Sequence, residues 1–210
     1  MEQALASLAP RLARGLPPGA PEALAAWASL VVSWNARLDL TAARSAPELV
    51  DLLVADAAWL AAHAPPGGRW VDVGSGAGAP GLGLGLLRPD LHLVLCEPLQ
   101  KRVAFLRSAV GTLRAPNVSV ARARGEDLVG QASPPFDAAC ARATLPPAAW
   151  LELGARLAPG GPVVVFLAKE APPALAGRRP SLDLAYDWPL TGARRRMVWY
   201  EPEASASDSS

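Results

Sequence analysis

Isoleucine is absent from this 210-residue chain, lysine occurs only at Lys101 and Lys169, and cysteine only at Cys96 and Cys140. Each scarcity excludes something. Two cysteines that form no CxxC pair, with only two histidines in the chain, give no ligand set for zinc. They read as buried thiols packing as small apolar groups, and no metal is expected. No apolar run reaches the ~18 residues needed to cross a bilayer, and Met1-Glu2-Gln3-Ala4 lacks the basic start of a signal peptide. The expectation is a soluble, cytoplasmic protein without a membrane partner. A formal net charge of +1 argues against a uniformly basic nucleic-acid binder, so any RNA contact has to be a local patch. Because basic residues are almost all arginine, and alanine, glycine and proline abound, the composition has the mark of a GC-rich coding sequence. Arginine abundance alone is therefore no argument for function.

What is present is apolar patterning: 51% of the residues are hydrophobic, ample for one domain with a substantial core. Residues 1–66 are Ala/Leu-rich with helical spacing. Leu5, Leu8, Leu12 and Leu16 mark one helix, and Leu24, Trp27, Leu30, Val31 and Trp34 a second. Pro17-Pro18-Gly19 separates the two, and a third helix is expected from Pro47 to about His63. Beyond Pro65-Pro66-Gly67-Gly68 the rhythm changes. Strands are expected at Trp70–Val73, Leu91–Cys96, Val118–Val120, Phe136–Ala141 and Pro162–Leu167. Helices are expected from Pro80 to Leu87, Gln100 to Arg114 and Trp150 to Leu157. Leu182–Trp188 and Arg196–Tyr200 read as two antiparallel strands. This alternation predicts an α/β Rossmann-like fold, a mostly parallel sheet with helices on both faces, over residues 67–202. A small polar tail, 203–210, reads as disordered. There is no internal repeat.

The chemistry concentrates after the first expected strand, in Asp72-Val73-Gly74-Ser75-Gly76-Ala77-Gly78. A glycine loop between strand and helix lets backbone approach a ligand closely, but dinucleotide sites use one too. Here the glycines fall at alternate positions rather than as GxGxxG, and Asp72 precedes them. An acid there suits S-adenosylmethionine, which carries a sulfonium and an ammonium, and would repel a pyrophosphate. Glu97, nineteen positions after Gly78 at the end of the second expected strand, can accept both ribose hydroxyls, a feature that NAD sites share. Glu126 and Asp127 follow the third strand, where an adenine amino group would lie; a helix cap and a surface acid are the alternatives. Asp72, Gly74, Ser75, Gly76, Gly78, Glu97, Glu126 and Asp127 are thus the candidate cofactor residues.

Further motifs extend the pattern: Trp34-Asn35 with Asp39-Leu40-Thr41-Ala42, then Pro80-Gly81, Lys101-Arg102 with Phe105-Leu106, Phe136-Asp137 leading to Ala141-Arg142-Ala143, and Leu167-Ala168-Lys169. With these the chain resembles the bacterial ribosomal small-subunit RNA guanine-N7 methyltransferases, the glucose-inhibited division protein B family, from about Trp34 to Tyr200. The resemblance implies an N-terminal helical segment before a class I methyltransferase core, S-adenosylmethionine as donor, and a guanine of 16S ribosomal RNA as acceptor, free or in the small-subunit particle. Arg142 and Lys169 match family positions that line the substrate side and are the candidate catalytic residues, Arg142 also bordering the cofactor. A monomer is expected. The chain departs from the family at Leu52-Leu53, where an Arg-His pair is usual before the Asp matched by Asp56, at Asp39, at Ala79 and at Glu170. The leucine pair leaves open a different RNA position or a small-molecule acceptor, or a cofactor-binding relative with little activity.

Methyl transfer to guanine N7 needs no general base, and none stands out. The place after the fourth strand reads Ala141-Arg142-Ala143-Thr144 rather than the [DN]PP[YFW] of exocyclic-amine methylases. Cys140 has no flanking Pro-Cys motif that would make it a nucleophile. Arg194-Arg195-Arg196, Arg178-Arg179 and Lys101-Arg102 are candidates for a phosphate-binding patch or for solvated loop charge. Trp34 and Trp59, at helical spacing, read as core residues.

Overall fold

The computed structural model describes residues 16–131 and 134–203. The helix expected through Leu5, Leu8 and Leu12 and the tail 204–210 lie outside the described residues. Helix α1 spans Ala20–Leu38, entered through Gly19 in a left-handed conformation and left through Asp39 in another. Ser45 then caps α2, Ala46–Val50: its side chain accepts from Glu48 N, while the Glu48 carboxylate accepts from Arg44 N at 2.7 Å. The chain continues without a break through a wide π turn, Asp51–Ala55, into α3, Asp56–His63. The expected third helix is therefore three segments, a distinction that apolar spacing does not encode.

Strand β1 (Arg69–Val73) opens the α/β part, followed by α4 (Gly81–Leu87), β2 (His92–Cys96), α5 (Gln100–Thr112) and β3 (Val118–Ala121). Next come the single turn α6 (Gly125–Leu128), β4 (Ala138–Ala141), α7 (Pro147–Leu157) and β5 (Val163–Leu167). The final hairpin is β6 (Arg178–Asp187) and β7 (Arg194–Pro202), both longer than the apolar pattern indicates. The sheet order is β3-β2-β1-β4-β5-β7-β6. The first five strands are parallel, and β7 runs antiparallel to both β5 and β6.

The period of two along the strands divides the interior. Trp70, Leu93, Leu95, Ala138, Val164, Met197 and Trp199 face one side with Leu24, Trp27, Leu53, Leu60, Leu82 and Phe105, so α1 to α5 share a single core with that face. Val71, Val73, Ala139, Val163, Val165 and Tyr200 face the other side with Trp150, Leu151 and Leu157 of α7. Trp34 packs edge-on to Phe105 and Trp59 against Tyr186, both as core contacts. No helix among the described residues is long and apolar enough to cross a membrane.

β1 and β4 adjoin at the centre of the sheet, and the strand order reverses between them. Open α/β sheets bind ligands at such a reversal, beyond the carboxyl ends of the strands. The glycine loop after β1 and Arg142 after β4 meet there.

Candidate active site

A cavity of about 480 Å³ opens at this point, lined by Gly74, Ser75, Gly76, Ala77 and Ala79 of the loop, Glu97, Pro98, Leu99 and Arg102 after β2, Arg142, Ala143 and Thr144 after β4, and Leu40. The three expected glycines differ in role. At Gly76, φ is +54° and a side chain would point into open space on the cavity side, so this is the position where a ligand can lie against backbone. A Cβ at Gly74 would strike the Thr144 side chain, whose hydroxyl donates to Val73 O at 3.0 Å and ties β4 to the loop. Gly78 does not line the cavity: a Cβ there would meet Leu82 and the Trp27 ring. Trp27 Nε1 donates to Ala77 O at 3.0 Å, so α1 holds the loop from behind.

Glu97 is 2% exposed, yet it borders the cavity. Its Oε2 accepts from Gly76 N at 3.0 Å and its Oε1 from Leu99 N at 3.0 Å. Both bonds fix the carboxylate against the loop. Leu99, 54% exposed, offers an apolar surface beside it.

Asp72 is placed differently from Glu97. It is fully buried beneath the loop and does not line the cavity. Its Oδ2 accepts from Gly81 N, at the first residue of α4, at 3.1 Å, and Cys140 Sγ lies 3.9 Å from its Oδ1. Burial pushes its carboxyl up to about 6, against the opposing pull of the Ser75 hydroxyl, the Gly81 amide and Arg142. The helix end on which a dinucleotide site would place its pyrophosphate is thus already held by an internal acid. That arrangement disfavours a pyrophosphate at this helix end. Ser75 is likewise inward, donating to Asp72 O at 2.8 Å, although its backbone borders the cavity.

Glu126 and Asp127 are exposed and line no part of this cavity. Asp127 Oδ2 instead accepts from Arg124 N at 3.1 Å, closing the turn of α6, which is the capping alternative. Lys169 is exposed beyond β5 and lines neither this cavity nor the next one. The neighbouring Glu170 does the bordering, with Oε2 accepting from Ala168 N and Lys169 N at 3.0 Å each.

Arg142 stands where expected, and its surroundings were not legible in sequence. Its Nη1 donates to Leu52 O at 2.6 Å and to Asp56 Oδ2 at 3.0 Å. Asp56 is 1% exposed, and its Oδ1 accepts from Tyr186 OH at 2.7 Å and Trp188 Nε1 at 2.8 Å. Four positions apart across the π turn, the Leu52 carbonyl and the Asp56 carboxylate converge on one guanidinium nitrogen. This buried, saturated carboxylate locks the arginine between the helical layer and the β6–β7 hairpin. Leu52 and Leu53, which replace the family's polar pair, border neither cavity; Leu53 is buried in the core.

On the far side of Arg142 lies a second cavity of about 240 Å³, bounded by Arg142, Ala143, Leu145, Phe166, Glu170, Trp188 and Arg195 among others. Arg142 and Ala143 border both spaces and form the wall between them. Ala143 is held at φ 55°, a strained conformation for a residue with a side chain. No histidine, cysteine or tyrosine lines either cavity. Burial pushes the Cys96 thiol up to about 12 and that of Cys140 well above its ordinary value, so neither is a nucleophile.

The arginine clusters separate. Arg178 is buried, its guanidinium spent on the carbonyls of Ala155, Ala158, Pro159 and Gly161 at the end of α7, which removes it from any phosphate patch. Arg179 is exposed and pairs with Glu201. Arg196 is forked onto Asp183. Arg195 lies over the Trp188 ring at 3.9 Å, Arg194 is exposed, and Arg102 borders the first cavity. Among the described residues no group of His, Cys, Asp and Glu is placed to hold a metal ion.

The strand order, the central glycine loop and the acid after β2 define a Rossmann-like, S-adenosylmethionine-dependent methyltransferase. In fold the chain is similar to an O-methyltransferase from Bacillus cereus, in complex with SAH, with a TM-score of 0.60 at 16% identity over 85% of this chain and 91% of that one. It is similar also to a variant of MtNAS in complex with S-adenosylmethionine, with a TM-score of 0.56 at 14% identity over 86% and 72% of the two chains. The family model described as GidB, rRNA small subunit methyltransferase G, matches residues 21–175. A ribosomal RNA small subunit methyltransferase G of Anaeromyxobacter dehalogenans is 33% identical over 208 residues, covering 95% of this chain and 96% of the relative. One from Methylobacillus flagellatus is 36% identical over 143 residues, 68% of each. The chain belongs to this family.

Proposed function

We propose that the protein methylates N7 of a guanine in 16S ribosomal RNA, with the donor in the larger cavity and the acceptor base in the smaller one. The observation that carries this reading is the shared wall of Arg142 and Ala143, which sets a base-sized space directly against the donor space. S-adenosylmethionine supplies an electrophilic methyl on a sulfonium. Gly76, Glu97, Leu99 and Thr144 are the residues placed to hold it, and Asp72 acts from below by fixing the loop and adding negative charge.

Guanine N7 carries an exposed lone pair. The new N–C bond forms as the C–S bond breaks, and the positive charge passes from sulfur to the purine with no proton removed. Cavities lined by no histidine, cysteine or tyrosine suit that chemistry. The residues have to orient and desolvate instead. Arg142, its Nη1 already engaged by Leu52 and Asp56, is placed to contact O6 and leave N7 open to attack, rather than forking onto both. Lys169, exposed beyond β5, is proposed to meet the RNA backbone. A monomer is proposed as the active form.

Mapping N7-methylguanine in 16S RNA tests the reading. One modification is expected to vanish in cells without the gene and to return on complementation; an unchanged pattern overturns the acceptor. Arg142→Ala is expected to bind S-adenosylhomocysteine normally by calorimetry while turnover falls roughly 100-fold or more, the cost of removing a preorganised donor from an active site. A large loss of cofactor affinity in this variant places Arg142 with the cofactor alone.

A further inference from the structure

Two acids border the smaller cavity, Asp56 and Glu170. Asp56 is closed to any ligand: both oxygens are committed to Arg142, Tyr186 and Trp188, and the residue is 1% exposed. Glu170 differs. It is exposed, and Oε2 is anchored by the amides of Ala168 and Lys169. Among the described residues no other residue bonds its Oε1, while its own amide and the Arg195 charge also act on the carboxylate. Two backbone anchors orient the carboxylate while leaving acceptor capacity over.

We propose that Glu170 reads the Watson–Crick edge of the acceptor base and makes the site selective for guanine. This inference rests on the acceptor assignment above. Guanine alone among the standard bases presents two adjacent donors on that edge, N1–H and the 2-amino group, and a carboxylate oxygen such as Oε1 is an acceptor-only partner for them. Adenine sets its N1 lone pair against the same carboxylate, cytosine its N3 lone pair, and uracil flanks its single N–H with carbonyls. A cavity that fits purines by shape would discriminate weakly; one that leaves a carboxylate unpaired against the wrong base discriminates strongly.

The placement of the neighbours agrees. Arg142 and Glu170 border the same cavity, so a purine with N7 at the Arg142–Ala143 wall can turn O6 to Arg142 and its Watson–Crick edge to Glu170. The Arg195 guanidinium stacked at 3.9 Å over the Trp188 ring adds a flat surface of a kind on which bases stack. Methylation leaves a positive charge on the purine, which raises the donor strength of N1–H and the 2-amino group. The contact with Glu170 therefore tightens as the methyl moves, and an interaction that strengthens in the transition state accelerates the step.

Inosine is the probe, since it keeps N7, O6 and N1–H and lacks only the 2-amino group. Full-length enzyme would be assayed on 16S RNA reassembled by ligation with guanosine or inosine at the mapped nucleotide. Wild type is expected to prefer guanosine by roughly 10- to 100-fold in kcat/KM, the range for one well-placed hydrogen-bonding pair. Glu170→Ala is expected to lose a similar factor on guanosine and to treat the two RNAs alike, with S-adenosylhomocysteine affinity unchanged by calorimetry. Glu170→Asp, which keeps the carboxylate, should recover part of the preference, whereas a purely structural role would move both substrates together. A guanosine preference that survives Glu170→Ala overturns the assignment and leaves the acceptor reading intact. No N7 methylation of either RNA by wild type overturns both.

Discussion

At the scale of single residues, two buried acids divide the electrostatics of the centre. Asp56 is saturated by three side-chain donors and fixes Arg142 from the substrate side. Asp72 accepts Gly81 N under the loop, and burial outweighs that bond, raising its carboxyl to about 6. A carboxyl raised on folding binds its proton more tightly in the native state than in the unfolded chain. The contribution of Asp72 to stability is therefore greatest below the unfolded value near 4 and falls as pH rises to about 6, by about 3 kcal/mol when one unit is 1.36 kcal/mol. Urea unfolding of wild type and Asp72→Asn between pH 4 and 7 checks this. The difference between the two should tilt against wild type up to about pH 6 and then level off; a difference constant with pH contradicts the assigned burial cost. Alternate glycines with a preceding acid pointed to this loop, but the direction of the acid was not legible. Strand alternation places Asp72 on one face of β1, and only the packing of α4 over that face decides that its partner is a helix amide.

At the scale of elements, the loop is braced on three sides: by Trp27 of α1 at Ala77 O, by Glu97 after β2 at Gly76 N, and by Thr144 after β4 at Val73 O. Bracing fixes the backbone in advance, so a ligand meets a formed surface rather than ordering one. Gly76 is the place where that surface is bare. Gly76→Val is expected to abolish measurable S-adenosylhomocysteine binding by calorimetry while the far-ultraviolet dichroism stays native, because the side chain fills the ligand's space and dislikes φ +54°. Normal affinity in that variant moves the ligand elsewhere. The expected strand-end residues also separate at the element scale. Glu126 and Asp127 follow a strand end, the usual place for a cofactor contact, yet the short turn α6 absorbs Asp127 as its own cap. Lys169 follows another strand end, and the backbone there turns Glu170 to the cavity instead.

At the scale of the whole molecule, the helical segment before Arg69 is not an appendage. Trp27, Leu53 and Leu60 share a core with Trp70, Leu82 and Met197, and Asp51, fully buried in the π turn, accepts from Leu190 N, Thr191 N and the Thr191 hydroxyl in the β6–β7 loop. A fragment beginning at residue 67 would expose that face of the sheet and leave Arg142 without Leu52 O and Asp56. It is expected to bind no S-adenosylhomocysteine and to show no cooperative thermal transition; a cooperatively folding, cofactor-binding fragment would show that the boundary near residue 66 separates independent units.

The amino-acid sequence by itself determined the alternation of strands and helices, the parallel order that follows from it, and the glycine loop with Glu97 at successive strand ends. These depend on periodicity and on local backbone demands, which neighbours in the chain report. Only tertiary structure decided which acids face a cavity and which face the protein, that Asp56 holds Arg142 across 86 positions, and that Glu170 rather than Lys169 borders the smaller cavity. Such pairings are settled by which helix covers which face of the sheet, and a charged side chain's partner follows from that packing rather than from its place along the chain.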